Sequence, residues 1–382
     1  MSGSLFRSLL RLYLVVFLFV IALSFIYLAI PLYMFALGAS QFEIGLQGLI
    51  YYGIQAPLTP LLGRLSDRFG REKLLSLGLV VNAVSSIALI WTNSTQIVLF
   101  LGAILGVASA FYWPTIESLI ADSSPLSGHG EAMGLYSATF GAAMVIGPAL
   151  AGFLKDINIT FVFAAAGLFS LIPMLFLPRP KERVPRPKDD PSSGGKGFLK
   201  LDNLEKSSLI FASIAIFAYG LVTGGMFQIF PVYGAILGFT GAQIGFLLAV
   251  LNSSRILANF ATGRLSYRIG KKILATFGVI LSSSVLLISF FSGYIQLLCS
   301  LIILGVGLGI VYPASLSFVA ESSSKRRGMM IGLFDAFLTV AIALGSQIGG
   351  IIADISVTWP YLFFTLSSVA FSSILILQVR RK

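Results

Sequence analysis

The chain has 382 residues, 57% of them hydrophobic and only 11% charged, with one Cys, one His and a formal net charge of +11. A soluble globular domain carries about 25% charged residues, so a water-soluble fold is excluded, and the lone Cys299 and His129 give little support to a disulfide framework, a zinc cluster, haem or iron–sulfur chemistry. The basic excess sits in loops between apolar runs, which points to anionic lipid headgroups and away from nucleic acid.

Apolar stretches long enough to cross a bilayer core of about 30 Å recur throughout. Taken in order they predict an all-α polytopic membrane protein of twelve transmembrane helices in two six-helix halves. Helix 1 runs from Leu12 to Leu37, too long for a signal-peptide core and without a small-residue cleavage site, so it is read as retained. Helix 2 spans Glu43 to Leu62, helix 3 Leu74 to Trp91, helix 4 Ile97 to Ala121, helix 5 Ala132 to Leu154 and helix 6 Phe161 to Leu177. His129 falls in the loop before helix 5. A proline- and lysine-rich linker follows, with a short surface helix expected near Phe198 to Leu204. Helices 7 to 12 span Ser208 to Leu237, Ala242 to Thr262, Ile273 to Phe291, Ile295 to Ala320, Met329 to Ile352 and Trp359 to Leu377. The domain reading is therefore an N-terminal half of residues 1–178, a linker of 179–206 and a C-terminal half of 207–382.

One segment is written twice. Residues 63–73 read GRLSDRFGREK and residues 263–272 read GRLSYRIGKK, an offset of 200, about half the chain. Upstream, Pro31, Tyr33, Gly38, Ile44 and Gly45 match Pro231, Tyr233, Gly238, Ile244 and Gly245 in the same register. Both halves descend from one six-helix design. Every Lys and Arg except Lys155 and Arg255 falls on the side of the membrane that holds the termini. By the positive-inside rule both termini and the linker are cytoplasmic, in a plasma-membrane protein.

These features resemble the major facilitator superfamily of secondary transporters over essentially the whole chain. Gly63, Asp67, Arg68, Gly70, Arg71 and Lys73 match its signature loop, with Glu72 departing from the usual basic residue; the second copy has Tyr267 where the acid would stand. Gly141, Gly147, Pro148 and Gly152 in helix 5 resemble an element of the exporter branch, most of all the drug/proton antiporters. The resemblance implies alternating access, with Asp67 as a gate-stabilising acid facing helix 11 and Asp122 as its partner. That branch's membrane-embedded Arg of helix 4, matched on Gly106, falls at Gly102, which cannot ionise. An antiporter using other carboxylates and a facilitator both stay open.

The residues carry their own physical readings. A carboxylate at Asp67 between Arg68 and Arg71 can hold charge-assisted bonds at the interface, though topogenic charge alone explains the arginines. The helix-5 glycines permit close helix packing; static packing explains any one of them equally well. Trp113-Pro114 and Tyr312-Pro313 occupy corresponding places in helices 4 and 10, as in bent, substrate-lining helices or as interface anchors. Arg255, Asp335 and Glu117 are ionisable groups within apolar helices, where an unpaired charge costs about 2.5–3.5 kcal/mol. Arg255 and Asp335 are expected as an ion pair or a proton relay. Tyr27, Tyr33, Gln55, Gln228 and Asn252 are neutral polar candidates for a cavity.

The scarcity of central charge argues for a small hydrophobic or amphipathic cargo. Export of such molecules, with proton coupling and no other cofactor, is the leading reading, and the working unit is expected to be a monomer. A facilitator or symporter for a neutral nutrient such as a sugar is the alternative, and a receptor without flux is a third. No enzymatic activity is expected, and the absence of a Gly-x-x-x-x-Gly-Lys-Ser/Thr loop argues against an ATP-driven pump.

Overall fold

The computed structural model describes residues 3–124, 129–177, 202–322 and 327–380. The first half consists of α1 (Gly3–Ala36), α2 (Gln41–Phe69), α3 (Arg71–Ala88), α4 (Thr95–Ser123), α5 (His129–Ile157) and α6 (Ile159–Leu171). The second consists of α7 (Asn203–Ile236), α8 (Gly241–Ile269), α9 (Lys271–Ser282, extended through irregular turns to Phe290), α10 (Tyr294–Ser322), α11 (Arg327–Ala353) and α12 (Trp359–Arg380). Among the described residues eleven stretches are long and apolar enough to span a membrane. The remaining long helix, α2, is less apolar because it carries Gln47, Gln55, Pro57 and Pro60.

The helices outrun the apolar windows. In α2 and α8 the hydrogen-bond ladder continues into the basic segments, and Gly70 and Gly270 end both helices with φ of 99° and 93°. Gly38 and Gly238 repeat the arrangement at the opposite face, with φ of 82° and 81°. A Cβ at these turns would be strained. His129, expected in a loop, opens α5. α7 starts at Asn203, within the expected linker, because Asp202 and Glu205 form a capping box there. Most of the expected surface helix lies outside the described residues.

The two halves meet along two principal seams, α2 against α11 and α5 against α8, with smaller contacts of α1 and α2 against α7. Glycines record how each seam varies with depth. Gly45 and Gly63 lie about five turns apart on one face of α2, as do Gly134 and Gly152 in α5, Gly245 and Gly263 in α8, and Gly332 and Gly350 in α11. At one level the spacing is closed: a Cβ on Gly45 or Gly350 would meet backbone across the α2–α11 seam, and one on Gly152 or Gly245 would meet backbone across the α5–α8 seam. At the other level it is open. Among the described residues Gly134, Gly263 and Gly332 have nothing within 4 Å, and Gly63 has only Pro114 of its own half at 3.5 Å. The halves are joined on the face opposite the termini and splayed on the face that carries them.

Candidate functional site

Between the closed and splayed levels lies a layer where the halves touch through side chains. Gln228 of α7 donates from Nε2 to Oε1 of Gln47 on α2 at 2.9 Å, and both residues are buried. Beside them the Tyr27 ring of α1 stacks on Phe227 of α7, centroids 5.2 Å apart and planes 15° apart. Tyr51 and Tyr52 of α2 pack around Tyr27, and Tyr51 shares a short hydroxyl hydrogen bond with Ser109 of α4. Two small clefts flank this layer. One is lined by Tyr27, Phe227, Met144, Pro148 and Asn252 among others, and the other by Gln47, Gln228 and the three tyrosines.

On the splayed side the ionisable residues face common space. Glu117 of α4 is exposed although it lies in a membrane-spanning segment, and Tyr136 of α5 donates to its Oε1 at 3.2 Å. Asp335 of α11 is half-buried and lies within electrostatic reach of Glu117 across the gap between the halves. Among the described residues neither carboxylate has a Lys or Arg partner. The Arg255 guanidinium stands 5.2 Å over the Tyr219 ring of α7. The expected Arg255–Asp335 ion pair is not formed. Aromatic side chains complete the wall: Trp113 against Phe140 at 5.8 Å, and Tyr312 between Tyr219 and Phe334 at 6.2 and 5.9 Å.

The signature loop is tied to its own half. Arg71 donates from Nη2 to Asp67 Oδ1 at 2.8 Å, from Nη1 to Asp122 Oδ2 at 2.5 Å and from Nη1 to the Ser118 carbonyl at 2.9 Å. Lys271 and Glu321 form the corresponding ion pair in the second half. Among the described residues Asp67 makes no bond to α11, and Arg68 points toward the neighbouring Phe69 ring. Of the helix-5 candidates, Gly141 packs on Ile256 and Pro148 and Gly152 on α8, whereas Gly147 packs on Ser24 of its own half.

Other expected residues separate. Gln55 is half-buried, with its Oε1 lacking a partner among the described residues. Asn252 donates to the Leu248 carbonyl at 2.9 Å and lines the first cleft. Tyr33 bonds the Thr92 carbonyl and packs on Phe163, away from the central layer. Sequence reasoning missed Gln47, Tyr51, Tyr52 and Phe227. Gln47 carried the same signal as Gln55, a polar amide inside an apolar run; the aromatics carried none, because 32 Phe and 13 Tyr leave any single ring uninformative.

The Major Facilitator Superfamily model matches residues 12–254 and, separately, 213–382. Multidrug resistance protein 1 of Bacillus subtilis is 28% identical over 346 residues, covering 88% of this chain and 87% of that protein. Quinolone resistance protein NorA of Staphylococcus aureus is 22% identical over 390 residues, covering 97% and 96%. Among solved structures, a bacterial homologue of the human lysosomal transporter Spinster, in an inward-facing and unoccupied conformation, superposes with a TM-score of 0.76 at 15% identity, covering 99% of this chain and 96% of that one. The nucleoside transporter NupG also superposes with a TM-score of 0.76, at 16% identity, covering 97% and 99%.

Proposed function

This chain belongs to the Major Facilitator Superfamily, and on that premise we propose that it exports hydrophobic or amphipathic small molecules, with proton coupling through Glu117 and Asp335. Fold and family are those of multi-pass secondary carriers, not of enzymes.

The observation that carries the finer reading is the pair of carboxylates on opposite halves, without cationic partners among the described residues, in an aromatic space open on one face. Closing that face brings the halves together. Two carboxylates approaching in a low-dielectric slot repel unless one takes a proton or a cationic group stands between them. Proton uptake and cargo occupancy are thereby tied to the same movement. The aromatic walls give an apolar solute large contact area with few fixed hydrogen bonds. The names of the Bacillus subtilis and Staphylococcus aureus relatives, which concern drug resistance, support export.

With the basic loops on the cytoplasmic side, the splayed face is the inner one and the structure is the inward-facing state. The Gln47–Gln228 bond and Asn252 favour a second reading, a carrier of a neutral hydroxylated solute, for which these amides would be the binding groups. Purified protein in liposomes with an imposed pH gradient separates the two. Gradient-driven movement of amphipathic dyes supports proton-coupled export, and gradient-independent sugar movement supports the second reading.

A further inference from the structure

The outer closure has two matched fastenings. Asp156, in the last turn of α5, accepts from the backbone N–H groups of Gly241 and Ala242 at 2.5 and 2.7 Å. Asp354, directly after α11, accepts from those of Gln41 and Phe42 at 2.7 and 3.1 Å. These amides belong to the first two residues of α8 and α2, so each carboxylate of one half caps a helix of the other.

The helices' own caps leave room for this. The Ser40 hydroxyl accepts from the Glu43 N–H and the Thr240 hydroxyl from the Gln243 N–H, both at 3.2 Å. The Glu43 and Gln243 side chains accept in return from the Ser40 and Thr240 N–H groups, both at 2.9 Å. A helix start carries unpaired amides and a partial positive charge. In both helices the internal box takes the third amide, and among the described residues the first two are served only by the opposite half's carboxylate. Lys155 lies beside one latch, its Nζ 3.7 Å from Asp156 Oδ1.

We infer that Asp156 and Asp354 form a paired latch that holds the outer face shut. They are positioning residues for the conformational cycle and do not act on cargo. Each secures one of the two seams, so separating the halves at this level exposes four amides and two carboxylates together. The carboxylates stand at the ends of α5 and α11, the amides at the starts of α8 and α2, and the latch therefore works only across the two halves. This inference deepens the carrier reading and rests on it, but its test does not require transport.

The test uses full-length protein in nanodiscs, with Cys299→Ser as background, and reads the labelling rate of a reporter cysteine by a bulky, membrane-impermeant maleimide. Ser346→Cys is the reporter: Ser346 is fully buried, where a Cβ on Gly48 of α2 would strike it. Ser86→Cys, fully buried within one half, reports loss of fold. Asp156→Asn or Asp354→Asn is expected to raise labelling at Ser346→Cys roughly fivefold, the effect of about 1 kcal/mol at a helix N-terminus. The double variant raises it roughly 25-fold, and Ser86→Cys stays unlabelled in all of them. An unchanged rate in the double variant overturns the latch. A parallel rise at Ser86→Cys also overturns it, because the carboxylates would then be holding the fold and not a state. Absence of cargo movement in liposomes with the labelling shift intact would sink the export reading and leave the latch standing.

Discussion

At the scale of single residues, position within the structure separates charges that look alike in the sequence. Glu117 and Asp335 are acids in apolar helices facing shared space, and each is neutralised by no basic side chain among the described residues. Glu117→Gln and Asp335→Asn are therefore expected to reduce gradient-driven cargo movement at least roughly tenfold, as for loss of one proton-transfer group, while dye binding measured by fluorescence stays nearly unchanged. Retained gradient dependence in both variants would remove them from the coupling scheme. Asp67 behaves differently. Its side chain is 62% exposed in the ion pair with Arg71, and exposed pairs contribute about 0–1 kcal/mol. Asp67→Asn should leave the thermal midpoint of this state within a few degrees, so a large loss of transport with little loss of stability would assign Asp67 to the other state. The presence of these acids was legible, because ionisable groups stand out in apolar runs. Their partners were not. Arg255 and Asp335 stand out as charges in apolar helices, but the sequence says nothing about which face of each helix turns toward the other.

At the scale of helices, the seams depend on glycines at matched depths. Gly152→Val and Gly350→Val place side chains against backbone of the opposite half, and overpacking of this kind costs about 1–3 kcal/mol. The cost falls on the outer-closed state, so both variants should raise labelling at Ser346→Cys. Gly134→Val and Gly332→Val enter open space here. They should leave the thermal midpoint within a few degrees yet block the opposite closure, abolishing transport while labelling at Ser346→Cys does not rise. Equal destabilisation by all four would refute the distinction between levels. Helix existence and number were readable from apolar length. Helix ends were less so, because the apolar signal stops at the membrane surface while α2 and α8 continue into the basic segments. The latch residues gave no signal: Asp156 and Asp354 acquire their role only when a helix of the other half arrives beside them. Helix facing was hidden for a related reason, since a helix apolar all round has no moment to orient it.

At the scale of the whole molecule, the duplication seen in the repeated basic segment is expressed in matched turns, matched caps, matched ion pairs and matched seams. Two halves joined at one level and parted at the other, with glycines of the same facing at both, can exchange which level is closed by rocking as rigid bodies. The outer contacts then predict the inner ones. Gly63 should approach Gly332 and Gly134 should approach Gly263 when the outer face opens. The six-plus-six organisation was legible because internal repetition survives in the sequence. The state was not, because both states must be built from the same residues.

Pulsed electron-spin distance measurements test this most directly. One label pair stands at the inner ends of α5 and α8, on Glu131 and Arg264, and another at their outer ends, on Lys155 and Ala242, each in the Cys299→Ser background. Opening the outer face with the double latch variant should lengthen the outer distance and shorten the inner one in the same population. Outer lengthening with no inner change, or two distances that grow together, would contradict alternating access by rigid halves.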